Sequence, residues 1–76
     1  MIMIHISKLF QVVENHSEFS ICWVKENGMK VFAPRAACTS FHSSGTTMNI
    51  KLLDSGQIRK VNRMSVIEFN GEEIVL

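Results

Sequence analysis

The sequence predicts a mainly β fold: a small antiparallel meander closing into an SH3-like or similar barrel of five to six strands, with room for a short N-terminal helix. Three observations carry this expectation. Apolar residues alternate with period two from residue 19 onward, turn signals recur at Asn27-Gly28, Asp54-Ser55-Gly56 and Asn70-Gly71, and the chain has only 76 residues. That length allows one domain, read as an N-terminal segment over 1–15 and a β-hairpin meander over 19–76. A hydrophobic fraction of 46% is enough for a folded core and argues against disorder. A chain this size buries only about 60% of its unfolded surface, so a partner subunit is a natural supplement.

The N-terminal segment supports two conformations. "IHI" alternates like a strand, whereas "SKLFQVVENH" offers Ser7 as an N-cap and Leu9, Phe10 and Val13 at helical spacing. Both readings stay open for residues 2–15. Next, "FSICWVK" puts Phe19, Ile21 and Trp23 on one face, with Cys22 a small buried hydrophobe. Asn27-Gly28 is the preferred pair for a two-residue type I′ loop. That loop sets Glu26 opposite Met29, Lys25 opposite Lys30, Val24 opposite Val31 and Trp23 opposite Phe32.

Pro34 has no N–H for a ladder and is expected to end the second strand. Ala36 to Phe41 then form one short strand, and "HSSGTT" is a polar turn, so the segment 34–47 is the least regular. In "MNIKLLDSGQIRKV" a three-residue loop at 54–56 places Leu53 opposite Gln57, Leu52 opposite Ile58 and Lys51 opposite Arg59. Met48, Ile50, Leu52 and Ile58 then share the core face, while Asn49, Lys51 and Arg59 face solvent. Lys60 falls at the end of the apolar face, its stem on the core. Asn70-Gly71 as a two-residue loop pairs Phe69 with Glu72, Glu68 with Glu73 and Ile67 with Ile74. The two Asn-Gly hairpins thus share one frame, one with a Lys–Lys pair and the other with a Glu–Glu pair. Like charges directly opposed destabilise a sheet.

Charge is unevenly distributed. The formal net charge is +1, yet residues 25–63 carry a net +5 and the remainder a net −4. Such polarity suits like-with-like assembly as well as nucleic acid.

Several function classes find little support. No apolar run approaches the length of a membrane span, and "MIMIHISKLF" lacks the basic start and cleavage site of a signal peptide. A cytoplasmic protein with reduced Cys22 and Cys38 is expected. A zinc site from Cys22, Cys38 and His42, with His5 or His16, would lack the paired-cysteine knuckle that makes such motifs specific. No catalytic motif, cofactor loop or metal motif is present in the sequence, so the expectation is no enzyme, no cofactor and no metal. A Cys38–His42 nucleophile and base would need a third, orienting group. Glu68, Glu72 and Glu73 read as a charged hairpin tip guarding an edge.

The stretch "CTSFHSSGTTMNIKLLDSGQIRKVNR", with "IEFNGEE" after it, resembles a group of short β-rich proteins encoded in phage and mobile-element clusters of gut bacteria. The similarity spans roughly 19–76 and rests on "SGQIRKV" and "EFNGEE". It implies a small phage-related protein, resident in the host cytoplasm or associated with the phage. It supplies no catalytic or ligand residue.

Two functional expectations follow. The first is a non-enzymatic assembly or protein-interaction module, self-associating through Lys25 and Lys30 against Glu68 and Glu73. The alternative is a nucleic-acid-binding small barrel using the basic 25–63 region, with Lys51, Arg59 and Arg63 on phosphates and Phe41 as a stacking ring.

Overall fold

A computed structural model describes residues 3–41 and 45–75. Among these residues, seven strands form one mixed sheet: β1 (Met3–His5), β2 (Phe19–Val24), β3 (Lys30–Phe41), β4 (Thr47–Leu52), β5 (Ile58–Asn62), β6 (Val66–Phe69) and β7 (Glu72–Val75). Their spatial order is β1-β7-β6-β2-β3-β4-β5. All neighbours run antiparallel except β1 and β7, which are parallel. The mainly β class is as expected; β2 to β5 form a meander, but β6 crosses back to pair with β2, so the meander does not run through 19–76. Among the described residues no pairing joins β5 to β1 or to β6, so the sheet is not a closed barrel.

The N-terminal segment adopts both of its conformations in sequence. Met3–His5 is a strand, Ile6–Lys8 a 3-10 turn, and Leu9–Glu14 a short helix, α1. Ser7 is not the helix cap. Instead the Ser7 N–H donates to His5 Nδ1 at 3.2 Å, which caps the 3-10 turn. α1 begins after Lys8 with no side-chain cap. Six residues are too few to hold a helix by propensity. Its stability comes from burying Leu9 and Val13 in the core, with Phe10 half-buried beside them.

Pro34 does not end a strand. β3 runs unbroken for 12 residues and is shared between two neighbours. Its first half pairs with β2 and its second half with β4, and the register shifts where Pro34 and Arg35 together oppose Ser20. A bulge needs no ladder hydrogen bond from the proline nitrogen, and it bends the strand.

The turns explain which registers hold. Asn70 and Gly71 have φ of +51° and +81°, as a type I′ loop requires, and Phe69 pairs with Glu72 and Glu68 with Glu73 as expected. At the other Asn-Gly, only Gly28 has positive φ, and the Lys25 N–H donates to the Met29 carbonyl at 2.8 Å. The loop is therefore Glu26-Asn27-Gly28, a three-residue connection. Every pair slips by one: Val24 faces Lys30, Trp23 faces Val31 and Cys22 faces Phe32. Lys25 and Lys30 are not opposed, and they lie on opposite faces of the sheet.

The 54–56 hairpin slips likewise. Gly56 N–H donates to the Leu52 carbonyl at 2.6 Å and Leu52 N–H to the Gln57 carbonyl at 2.8 Å, making a four-residue loop from Leu53 to Gly56. Lys51 now faces Ile58, Ile50 faces Arg59 and Asn49 faces Lys60. One step of slip exchanges the faces of β5. Ile58 is 51% exposed on the outer face, and Arg59, not Lys60, follows the apolar face.

The sheet curls strongly. The 3-10 turn Arg63–Ser65 alone links β5 to β6. Four steps from Asn62 to Val66 cover roughly 8 Å at 3-10 rise, and ~15 Å at full extension. In a flat sheet, four strand spacings would separate β5 from β6 by about 19 Å. Only curling brings them together. It also buries Val61 and Val66 in one core with Phe19, Ile21, Trp23, Met48, Ile50 and Phe69, under Leu9 and Val13 of α1. Extents of 30 × 26 × 24 Å fit a sheet wrapped around a core.

Candidate functional site

Where the curled sheet fails to close, a seam remains. It is an open concavity of about 750 Å³ between the β2–β3 tip and β5. Trp23, Val31 and Val61 form its apolar floor, and Lys25, Arg59 and Lys60 stand around it with one carboxylate, Glu26, so three cations outweigh one anion. Trp23 is only 6% exposed, so it serves as floor and is no stacking platform. Arg59 Nη2 donates to Gln57 Oε1 at 2.5 Å, which steadies the guanidinium on the rim.

Ladder alternation specifies which backbone groups face the seam. The Leu52–Gln57 contact is a hydrogen-bonded pair, and Arg63 N–H donates to the Thr46 carbonyl at 2.8 Å further along. Between them, hydrogen-bonded pairs alternate, so Arg59 and Val61 spend their N–H and C=O on β4. The backbone groups of Ile58, Lys60 and Asn62 point away from β4, along the free edge.

The seam gathers three of the seven basic residues in 25–63. Arg35 is held elsewhere, by Glu18 at 2.8 Å and Asp54 at 3.5 Å. The hydrogen bond to Glu18, then the charges of Glu18 and Asp54, raise its already high pKa. Lys30 and Lys51 are exposed on the outer face. Arg63 lies over the Phe10 ring, 5.6 Å from its centroid, and Phe41 packs on the same ring at 4.8 Å. Of the four expected nucleic-acid contacts, Arg59 alone enters the seam. Arg63 and Phe41 meet at α1 instead, and Lys51 stands apart. Of the expected oligomer contacts, Lys25 lines the seam, and Glu68 and Glu73 face each other at the far end of the sheet.

Cys22 is half-buried on the outer face beside Phe32 and Glu68, not a core residue, because the core position is taken by Trp23. Cys38 is also a free thiol. Burial pushes its pKa up, a backbone interaction with Ser40 partly opposes this, and the charge of Glu14 adds to the rise. A thiol shifted this way stays protonated at neutral pH and is a poor nucleophile. His42, the base or ligand candidate, lies outside the described residues. His5 is engaged at the 3-10 turn, and His16 Nδ1–H donates to the Val12 carbonyl at 2.8 Å with its ring edge-on to Phe69. Among the described residues no three His, Cys, Asp or Glu side chains gather as a metal site, and no helix is long and apolar enough to cross a membrane.

Sequence pattern missed the seam because it depends on the open edge of β5. The signal lay in "VNRMSV": Asn62 Oδ1 accepts the Met64 N–H at 2.9 Å, capping the tight return that forces the curl. Compared with known proteins, the chain matches no family model, no curated protein and no solved structure.

Proposed function

We propose that this chain is a non-enzymatic assembly or protein-interaction module that takes an extended, acidic and apolar segment of a partner into the seam beside β5. The observation carrying this reading is the edge of β5, unpaired among the described residues, bordering an apolar floor where Lys25, Arg59 and Lys60 outweigh Glu26. Unpaired strand edges are templates for another strand. Strand addition gains main-chain hydrogen bonds for affinity, and alternate side chains supply selectivity. Here apolar side chains enter the floor and carboxylates meet the cations, which favours encounter and register. The tight curl supports viewing the sheet as an opened relative of a small SH3-like barrel. A phage-related setting in a host cytoplasm agrees with the resemblance of "SGQIRKV" and "EFNGEE", and with two free thiols.

Titration with an alternating Glu–Val peptide, followed by amide NMR shifts, tests the reading. The expected result is shifts at Ile58, Lys60 and the 25–27 tip, weakening with salt, and little from a Lys–Val peptide. Equal response to both peptides, or none to either, sinks it. A nucleic-acid reading draws on the same three cations. Against it stand the dispersal of Lys51, Arg63 and Phe41 and the buried Trp23. An oligonucleotide at ~50 mM salt that shifts the seam amides more strongly than the Glu–Val peptide would reverse the order of the two readings.

A further inference from the structure

We propose that the segment entering the seam belongs to a second copy of this chain, docked head to tail so that β1 of one copy extends the sheet beside β5 of the next. This inference rests on the seam reading and names its occupant.

The sheet is charged oppositely at its two ends. At one end β1, β7 and β6 carry Glu68, Glu72 and Glu73 and no Lys or Arg. At the other end β4 and β5 carry Lys51, Arg59 and Lys60 and no Asp or Glu. Each end finishes in a strand edge that is free among the described residues, and each edge exposes an apolar side chain: Met3 at 56% on β1 and Ile58 on β5. The faces match as well. Met3 pairs with Glu73, and Glu73 with Glu68, all on the outer face. Ile58 and Lys60 occupy the outer face of β5 through Lys51 and Asn49.

Joining β1 to β5 with outer faces continuous brings Met3 against the Ile58–Lys60 row. Two strand spacings of about 4.8 Å then separate Lys60 from Glu73, about 10 Å with β1 between them, a span the two extended side chains can close. Lys60 then offsets the charge of Glu73 and so eases its opposition to Glu68, a pair that no ion pair among the described residues neutralises within one copy. Because the two edges are unlike, the contact is heterologous. Repetition yields a ring if the rotation closes, and a filament otherwise.

Sedimentation velocity at low salt, from tens to hundreds of micromolar, reads the outcome on the wild type and on two exposed-site variants, Glu68→Lys/Glu73→Lys and Arg59→Glu/Lys60→Glu. Far-UV circular dichroism checks that each variant folds. The wild type is expected to grow beyond a dimer with concentration, and each variant alone to stay monomeric. An equimolar mixture should recover large species, because every end then meets its opposite. A wild type that stays monomeric, one that stops at a dimer, or a mixture that stays monomeric overturns the proposal. In that event the Glu–Val titration separates the two ideas: shifts at Ile58 and Lys60 keep the seam as a binding site for another protein, and their absence removes both.

Discussion

Replacing Phe69 with alanine is expected to cost about 3–5 kcal/mol, the range for deleting a large aromatic from a core. Phe69 is fully buried, packs against the tilted ring of Phe19 with centroids 4.9 Å apart and meets the His16 ring edge-on at 5.5 Å. A domain of 76 residues has total stability on the order of 4–11 kcal/mol, so this one change consumes much of it. The damage is also directional. Phe69 is the last residue of β6 and seats the Asn70-Gly71 turn, β7 hangs from β6, and β1 hangs from β7. Urea denaturation should show a midpoint that falls sharply. Phe32→Ala is the control: the ring is 61% exposed on the outer face, and its loss should change stability by less than about 0.5 kcal/mol. Equal losses for the two variants would contradict the assigned faces.

Leu9→Ala is expected to cost about 2–5 kcal/mol and to release α1. Leu9 is fully buried in a helix that lacks a side-chain cap, so little besides packing holds it. Its departure also uncovers Phe10, the ring on which Phe41 and Arg63 rest. Amide exchange across residues 9–14 should accelerate well beyond the change in global stability. Unchanged protection there would mean that the helix is stabilised by something other than Leu9.

Much of this architecture is legible in the sequence. Alternation finds the core residues of β2, and the Asn70-Gly71 register is right to the residue. The same dipeptide at 27–28 misleads, and hydrogen bonding explains the difference. Asn70 Oδ1 accepts the Ser20 N–H at 2.9 Å, and its own N–H donates to the Ser20 carbonyl, so β2 holds Asn70 in the left-handed conformation. Asn27 Oδ1 turns instead to the local Met29 N–H at 3.0 Å, which favours a three-residue loop. A contact fifty positions away decides one hinge, and no local pattern encodes it. Pro34 misleads for a related reason: it blocks a ladder but not a bulge. The candidate site was half legible. The sequence points to Lys25 and Arg59, yet their convergence depends on the curl and on one-residue slips in two hairpins.

The parallel pairing of β1 with β7 has a kinetic consequence. Met3 waits for Glu73, and His5 for Val75, so β1 closes nearly the longest loop the chain can make. A three-residue strand with so distant a partner forms last and leaves first, as a small local unfolding unit. Hydrogen exchange should find the β1 amides less protected than those of β2, and capture of β1 by a neighbour should slow them. Assembly through that edge would act as a latch on the chain's most labile joint.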